Sequence, residues 1–392
     1  AVNGAGLTMS KKDRDEARRR EAIRRLRLHT SIAILIPIMD AWEVGLKGGG
    51  QKGQMSFKAV DVEAKEARYI KMQMGKILTF NEIDTAAWQA LVEQSLYATW
   101  FQTREAYEFY AAVSNELAPF ALGIEEDGHL VGVIVGYTTQ EKNPIKQFLT
   151  RRAIIIGGPL LDEHISDDAL SALLVAAKQV TKGAIYVETR NFNDYSNWKG
   201  IFEQCSFQYQ LHLNFHVDTT KPWETIENNI GKHRRKYIRL SYRDGVVVEL
   251  EPTLQQVKEY YAVLQDLYRT KVKMPLQPWS FFERLYHMPS CKYLLVMYNN
   301  QVVGGSICMT LKNHGVYEWY ACGKDGMFRN IHPSSVTKHI GMKYAADNGY
   351  KVFDMMGAGK PNEAYGVRDF KAEFGGKLVE HGRFLCVRKP LL

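Results

Sequence analysis

The chain carries two pairs of similar segments that share one spacing. Residues 125–132 (EEDGHLVG) and residues 298–304 (YNNQVVG) both consist of a turn, an apolar pair and a glycine. Residues 183–187 and 349–353 also resemble each other, and the members of each pair lie about 170 residues apart. A repeat of that length predicts two copies of one domain, and 392 residues are enough for two full cores.

Hydrophobic periodicity predicts the order of helices and strands in each copy. The first copy is predicted to contain a hairpin about residues 126–129, a strand at 151–157, a helix at 167–181, a strand at 184–188, a helix at 194–204 and a strand at 207–217. The second is predicted to contain helices at 222–230 and 232–242, a strand at 246–250, a helix at 253–270, a hairpin about 299–300, a strand at 316–321, a helix at 334–348 and a strand at 351–355. This alternation of helices and strands predicts an α/β (α+β) fold.

The domain boundary is predicted near residues 218–221. We predict a first domain at residues 74–220, a second at residues 221–392, and an appendage at residues 1–73 that is not part of the fold. Residues 11–27 of this appendage hold nine Lys or Arg against four Asp or Glu. Residues 45–53 (GLKGGGQKG) have the composition of a flexible linker.

Charge and cysteine content limit the function classes. A net charge of +8 favours anionic partners such as phosphates, nucleotides, RNA or a membrane surface. The five cysteines are scattered without metal-ligand spacing, which predicts reduced thiols, no metal site and a cytoplasmic protein. The longest apolar run, residues 32–39, is too short to span a bilayer, and no clear cleavage site follows it, which disfavours secretion.

The C-terminal stretch GVRDFKAEFGG, residues 366–376, predicts a short helix that ends at a glycine pair. Phe370 and Phe374 are four residues apart and share one face of that helix, and residues 378–387 are predicted as the closing strand. Lys371 lies beside the aromatic face. Spacing alone favours a solvated lysine, and a cation held at the edge of a dry pocket is the alternative.

The pattern G-x-x-x-F-K-x-x-F-G-G resembles the C-terminal signature of the Fem family of peptidoglycan-branching aminoacyltransferases, which have two tandem GNAT-like (acetyltransferase-like) domains. The predicted order of elements matches the GNAT order, and the resemblance covers about 300 residues. It implies that each domain has a mixed, mostly antiparallel sheet flanked by helices. It implies that Lys371 is catalytic, stabilising the oxyanion of a tetrahedral intermediate, and that Phe370 positions it.

The densest cationic cluster, residues 232–239, holds two arginines one helical turn apart, Arg235 and Arg239. By itself it is equally consistent with a solvated basic face. The segment resembles the family's R-x-x-I-R…G-V segment, which implies that Arg235, Arg239 and the neighbouring Arg234 bind the diphosphate of a UDP-linked or lipid-linked muropeptide. A lipid-linked substrate implies peripheral contact with the inner face of the membrane.

Two strands of the second domain hold further candidates. Residues 317–323 are similar to the family strand that ends Y-G-A-S, which implies that Tyr320 lies near the acceptor, although a core aromatic is the alternative. Ala321, Cys322 and Gly323 depart from that consensus. Residues 353–359 resemble Y-D-F-G-G, which implies a substrate-binding role for Asp354.

The glycine loop by which GNAT enzymes hold the pyrophosphate of coenzyme A is missing. Residues 329–334 (RNIHPS) stand in its place without glycine, and Pro333 removes a donor. No such loop precedes Asp167 in the first copy either. We therefore predict aminoacyl-tRNA as co-substrate and no cofactor. An acyl-CoA-dependent N-acyltransferase acting on a small amine, a sugar or a lipid-like acceptor, and a binding protein without catalytic activity, remain alternatives.

Overall fold

The computed structural model describes residues 75–113, 117–139 and 150–388. The predicted appendage at residues 1–73 lies outside these ranges. Within them the α-helices are α1 (Thr85–Gln94), α2 (Arg104–Ala112), α3 (Asp167–Val180), α4 (Lys199–Gln204), α5 (Trp223–Asn229), α6 (Lys232–Arg243), α7 (Leu254–Leu267), α8 (Trp279–Tyr286), α9 (Pro333–Asp347) and α10 (Gly366–Ala372). Short 3₁₀ helices occur at Phe80–Glu82, Trp100–Gln102 and Ser196–Trp198, and a π-helical turn at Tyr268–Val272 continues α7.

Side-chain caps explain where several helices begin. The carboxylate of Asp84 accepts a hydrogen bond from the N–H of Ala87 at the start of α1. The hydroxyls of Thr103, Ser166 and Thr253 do the same for α2, α3 and α7. Each cap satisfies a donor that the first turn leaves free, and replacing one by alanine costs about 1 kcal/mol.

The first sheet has eight strands within the described ranges: β1 (Lys76–Thr79), β2 (Leu117–Glu126), β3 (His129–Thr139), β4 (Arg152–Gly157), β5 (Leu160–Leu161), β6 (Tyr186–Asn191), β7 (Gln208–Gln210) and β15 (Arg383–Val387). Their order is β1-β2-β3-β4-β6-β15-β7, with β5 paired to β3. The pair β4–β6 is parallel, and the other pairs described are antiparallel.

The second sheet has seven strands within the described ranges: β8 (Leu213–Asp218), β9 (Val247–Glu249), β10 (Cys291–Tyr298), β11 (Gln301–Thr310), β12 (Gly315–Gly323), β13 (Val352–Gly357) and β14 (Lys377–Glu380). Their order is β14-β8-β13-β12-β11-β10-β9. Here too one pair, β12–β13, is parallel. The predicted class of two mixed, mostly antiparallel sheets flanked by helices is confirmed. Helix α8 is an element that the sequence analysis missed.

The two sheets exchange strands at two neighbouring breaks. The single strand predicted at residues 207–217 is wrong, because β7 belongs to the first sheet and β8 to the second. The closing strand predicted at residues 378–387 is likewise two strands, β14 and β15, in different sheets. The two breaks are in contact, because the N–H of Gly382 donates to the carbonyl of His212 at 3.2 Å. Gly382 has a φ of +62°, a backbone conformation that favours glycine. The division into domains at residue 220 stays a prediction, but the sheets change over at residues 211–212 and 381–382.

Among the residues that the structure describes, three apolar clusters hold these layers together. Helix α3 covers one face of the first sheet, and α9 covers one face of the second. The third cluster lies between the sheets and joins Trp100 and Phe101 of the first copy to Phe281 of the second. Trp319 of β12 contacts all three, with ring centroids 6.3, 5.1 and 5.5 Å away. Such aromatic pairs contribute roughly 0.5–1.5 kcal/mol each beyond area burial, so they stabilise the packing of the two sheets on this cluster.

Candidate active site

The second sheet opens between its two parallel strands. Pairing of β12 with β13 runs from Gly315↔Val352 to Tyr317↔Asp354 and then ends, although both strands continue, to Gly323 and Gly357. In the first sheet the parallel pair β4–β6 stays in register over the whole of both strands. The opening therefore exposes backbone and side chains at the carboxyl ends of β12 and β13, where a ligand can approach them. The pair β4–β6 has no such opening.

A cavity of about 290 Å³ lies beside this opening and is shared by both sheets. The first sheet contributes Arg190 and Arg383, β8 contributes Asn214, and the opened strands contribute Tyr320 and Gly357. A larger hollow of about 520 Å³, at residues 219–223 and 346–350, contains none of the predicted site residues. We take the smaller cavity as the candidate site, because charged and aromatic side chains from several segments converge on it.

Two arginines share one buried carboxylate on the first-sheet side of the cavity. Arg190 Nε donates to one oxygen of Glu188 at 2.9 Å, and Arg383 Nη1 donates to the other at 2.9 Å. Burial raises the pKa of Glu188, but the two guanidinium groups outweigh burial and hold that pKa at about 2. Arg383 Nη2 lies 2.9 Å from His212 Nε2, and burial followed by the charge of Arg383 lowers the pKa of His212 to about 3. The group therefore carries a net charge of +1 at neutral pH.

Lys371 lies under the opened strand and not in solvent. Its Nζ donates to the carbonyl oxygens of Met355 at 2.6 Å and Gly357 at 2.8 Å, and it lies 3.3 Å from that of Met356. The side chain is only 7% exposed. Burial lowers the pKa of Lys371 to about 8, with Asp354 acting in the opposite direction. Of the two structural alternatives, a solvated lysine and a buried cation, the structure has the buried cation.

Asp354 organises the same end of β13. Its Oδ1 accepts from the N–H of Met356 at 2.6 Å, and its Oδ2 lies 3.1 Å from His216 Nε2. Met356 has a φ of +60°, which few residues other than glycine adopt. Burial lowers the pKa of His216, but the Asp354 carboxylate outweighs it and raises that pKa overall. With 1% of its surface exposed, Asp354 contacts protein groups, and its predicted substrate-binding role stays a prediction.

Tyr320 forms part of the aromatic wall of the cavity. Its ring lies 5.1 Å from Phe282 and 6.4 Å from Tyr268, at the start of the π-helical turn. π-Helical turns are frequent at functional sites. Burial raises the pKa of Tyr320 well above its usual range, so the hydroxyl stays protonated.

The basic helix α6 contacts α10 and the residue that follows it. Arg234 stacks over the ring of Phe370 at 4.5 Å and donates to Glu373 at 2.8 Å. Arg235 donates to Asn228 at 3.0 Å, and Arg239 is exposed without an ion pair within the described residues. Phe370 thus contacts Arg234, whereas the ammonium of Lys371 is held by backbone carbonyls. The predicted roles of Phe370 and of the three arginines stay predictions.

Both helix N-termini at which a GNAT enzyme would hold a pyrophosphate are occupied by acidic side chains. At α9, the N–H of Ser334 donates to Asp325 Oδ1 at 3.2 Å, and Pro333 offers no N–H. At α3, the N–H of Ser166 donates to Glu126 Oε2 at 3.1 Å. Carboxylates in these places repel a second anion and use the donors that it would need.

Several residues that line the cavity or bond to its surroundings escaped the sequence analysis. Arg190, His212, Asn214 and Arg383 line the cavity, Glu188 is bonded to the two arginines, and His216 lies beside Asp354. A local pattern does mark three of them, because residues 212–217 alternate polar and apolar, with His212, Asn214 and His216 on one face. Nothing in the sequence relates this face to Arg190 or Arg383. Among the described residues no group of His, Cys, Asp and Glu side chains could hold a metal ion. No helix in the described part is long and apolar enough to cross a membrane.

Comparison with known proteins supports the fold. Residues 227–371 match the family model described as "Acetyltransferase (GNAT) domain". The structure entitled "Crystal structure of FemX" is similar with a TM-score of 0.62 and 16% identity, covering 80% of this chain and 97% of that one. The C-terminal domain (DUF2156) of a putative lysylphosphatidylglycerol synthetase from Agrobacterium fabrum gives 0.50 and 14%, covering 78% and 91%.

A conserved protein of unknown function from Bacteroides thetaiotaomicron VPI-5482 gives a TM-score of 0.51 and 10% identity, covering 79% of this chain and 99% of that one. No curated protein sequence matches the chain. At these identities the likeness concerns the fold. The fold is two tandem GNAT-like domains, and the predicted resemblance to the Fem family is confirmed at that level.

Proposed function

We propose that the protein is an aminoacyltransferase that moves an amino acid from aminoacyl-tRNA to an amine on the stem peptide of a peptidoglycan precursor. The observation that carries this proposal is the hydrogen bond from the N–H of Ser334 to Asp325. It puts a negative charge at the place where a coenzyme A pyrophosphate would bind, so the acyl donor is expected to be another activated ester. FemX and a putative lysylphosphatidylglycerol synthetase, which have similar folds, support an aminoacyl group as the one transferred.

The reaction is aminolysis of an ester. The amine nitrogen of the acceptor attacks the carbonyl carbon of the aminoacyl ester, and a tetrahedral intermediate with an oxyanion forms. The carbon–oxygen bond to the tRNA ribose then breaks. The proton that the amine loses passes to the departing ribose oxygen, so no proton is left over.

Lys371 is the proposed oxyanion donor. It is buried in the seam between β12 and β13, and at neutral pH its ammonium is charged, since burial lowers its pKa only to about 8. Its weakest bond, 3.3 Å to the carbonyl of Met356, is the one that it would exchange for the oxyanion. A preorganised donor of this kind contributes on the order of 10²–10³ in rate.

The basic helix α6 is proposed to bind the diphosphate of a UDP-linked or lipid-linked muropeptide. Arg235 and Arg239 lie one turn apart and keep most of their donors free, since only Arg235 has a side-chain partner, Asn228, within the described ranges. Two guanidinium forks suit the oxygens of a diphosphate. A lipid-linked acceptor would bring this helix to the inner face of the membrane.

A thermal-shift titration of the full chain tests the donor and the acceptor together. A ligand that binds only the folded protein must raise its melting temperature. We expect a shift with a UDP-linked muropeptide, a smaller one in Arg235→Ala, and none with acetyl-CoA. A shift with acetyl-CoA alone would overturn the proposal in favour of an acyl-CoA-dependent N-acyltransferase. Transfer of a radiolabelled amino acid from charged tRNA to the muropeptide is the direct assay, and its failure with every charged tRNA would also refute the proposal.

A further inference from the structure

The two terminal NH₂ groups of the Arg190 guanidinium are available for a ligand. Its Nε is bonded to Glu188, but Nη1 and Nη2 have no acceptor within the described residues. The side chain is 35% exposed, and Arg190 lines the cavity, so the open part of the guanidinium faces that space. A guanidinium fork with two unused NH₂ groups matches the two oxygens of a carboxylate.

Asn214 provides a second unused polar group in the same cavity. The residue is 3% exposed, and its Nδ2 is buried without a hydrogen-bond partner in the described part of the chain. An unpartnered buried amide destabilises the folded state, and a bound ligand that supplies the missing acceptor removes that cost. Rotation of the amide presents either an N–H or a carbonyl to the cavity.

The charge of the cavity wall indicates how many negative charges the ligand carries. Arg190 and Arg383 contribute two positive charges, and Glu188 contributes one negative charge. His212 is neutral, because burial and the neighbouring Arg383 lower its pKa to about 3. One carboxylate therefore neutralises the wall, whereas a phosphate dianion would exceed it.

The size and the remaining walls indicate a small organic ligand. The volume of about 290 Å³ is at the lower end of the range for ligand sites, and it suits one or two amino acid residues. Trp319 and Tyr320 offer aromatic surface, on which an aliphatic chain or an ammonium group packs well.

We infer that this cavity binds the carboxylate of an amine-bearing peptide acceptor, with Arg190 as the main donor and Asn214 as the second. The inference rests on the proposed function, since it names the part of the acceptor that lies beside Lys371. It concerns a site separate from α6, where the diphosphate is proposed to bind.

Calorimetric titration of the full chain with two probes tests the inference. The probes are the dipeptide lysyl-alanine and lysyl-alaninamide, which differ only in the C-terminal charge. We expect lysyl-alanine to bind at least tenfold more tightly. Arg190→Gln should abolish the difference, Arg190→Lys should keep part of it, and Arg284→Gln, which changes an exposed arginine of α8, should leave it intact.

A second variant keeps the test independent of folding. Asn214→Leu removes an unsatisfied buried amide, so its melting temperature should be unchanged or higher, while lysyl-alanine binds more weakly. Equal affinity for both probes, no binding of either, or a preference that survives Arg190→Gln would overturn the inference.

The outcomes for the site and for the reaction are distinguishable. Transfer from charged tRNA without a carboxylate preference would leave the proposed function standing and remove this site. A carboxylate preference that depends on Arg190, without transfer from any charged tRNA, would keep the site and remove the aminoacyltransferase.

Discussion

The ammonium nitrogen of Lys371 lies 2.6 Å from the carbonyl oxygen of Met355. This bond ties the last helix, α10, to the end of β13, at the point where β13 separates from β12. The residue that follows Met355 has a left-handed backbone, and Asp354 accepts its N–H. A single buried cation thus holds three carbonyls in place, and any role in catalysis is coupled to the shape of this segment.

Replacing Lys371 tests its proposed role as the oxyanion donor. Lys371→Ala should lower the rate of aminoacyl transfer by on the order of 10²–10³, because the oxyanion loses its charged donor. Lys377→Ala is the matched control, since Lys377 is an exposed lysine six positions further along the chain, and it should retain wild-type turnover. A Lys371→Ala protein that keeps most of its rate would remove Lys371 from the mechanism.

The pH dependence of transfer should show the same group. Burial lowers the pKa of Lys371 to about 8, so the ammonium is charged below that pH and loses its proton above it. We expect the single-turnover rate to fall as pH rises through about 8. Deprotonation of the acceptor amine acts in the opposite direction, so a falling limb is diagnostic. The limb should vanish in Lys371→Gln; its persistence there would assign it to another group.

The neighbouring arginines Arg234 and Arg235 should respond differently to truncation. Arg234 stacks on Phe370 and is paired with Glu373, so Arg234→Ala should lower the melting temperature. Arg235 has one partner, Asn228, in the described residues, so Arg235→Ala should leave the melting temperature unchanged. It should raise KM for the diphosphate substrate roughly tenfold, equivalent to about 1.4 kcal/mol, with kcat unaffected. An unchanged KM would contradict the diphosphate role.

A buried ion pair beneath the opened strands should make the second domain sensitive to the loss of one partner alone. Lys338 of α9 contacts Glu318 of β12, and both are 4% exposed. Lys338→Met should cost about 3–5 kcal/mol in free energy of unfolding, because it leaves a buried carboxylate without its partner. The double variant with Glu318→Leu should recover most of that loss.

The control for this pair lies on the same helix. Lys343 forms an exposed pair with Asp347, so Lys343→Met should change the free energy of unfolding by less than about 1 kcal/mol. Urea titration of the wild type, the two single variants and the double variant measures the free energy of unfolding of each. A loss that the double variant does not recover would show that the pair contributes more than compensation of buried charge.

Much of the fold was predictable because its causes are local. The hairpin at residues 126–129 follows from a glycine turn between alternating strands, and α3 follows from a Ser166 cap and an amphipathic repeat. Such patterns act over a few residues, so they do not depend on how the rest of the chain folds. The strand predicted at residues 207–217 failed because alternation does not reveal which sheet a strand joins.

The candidate site was predictable only in part, for the same reason. The motif around Lys371 is contiguous, and its resemblance to a known signature marks one residue of the site. Arg190, Asn214 and Arg383 come from three distant segments, and they meet because β15 returns to the first sheet while β8 joins the second. No local sequence pattern predicts which sheet β8 and β15 join.

The sequence by itself determined the repeat, the order of most elements, the basic helix and the missing glycine loop, since each depends on residue type and short spacing. Tertiary structure alone decided that Lys371 is buried against backbone carbonyls, that Asp325 occupies a helix N-terminus, and that two arginines share Glu188 beside an open cavity. The physical reason is that burial and charge pairing depend on distances between segments far apart in the chain. Those distances exist only after the two sheets have exchanged strands and packed on one shared core.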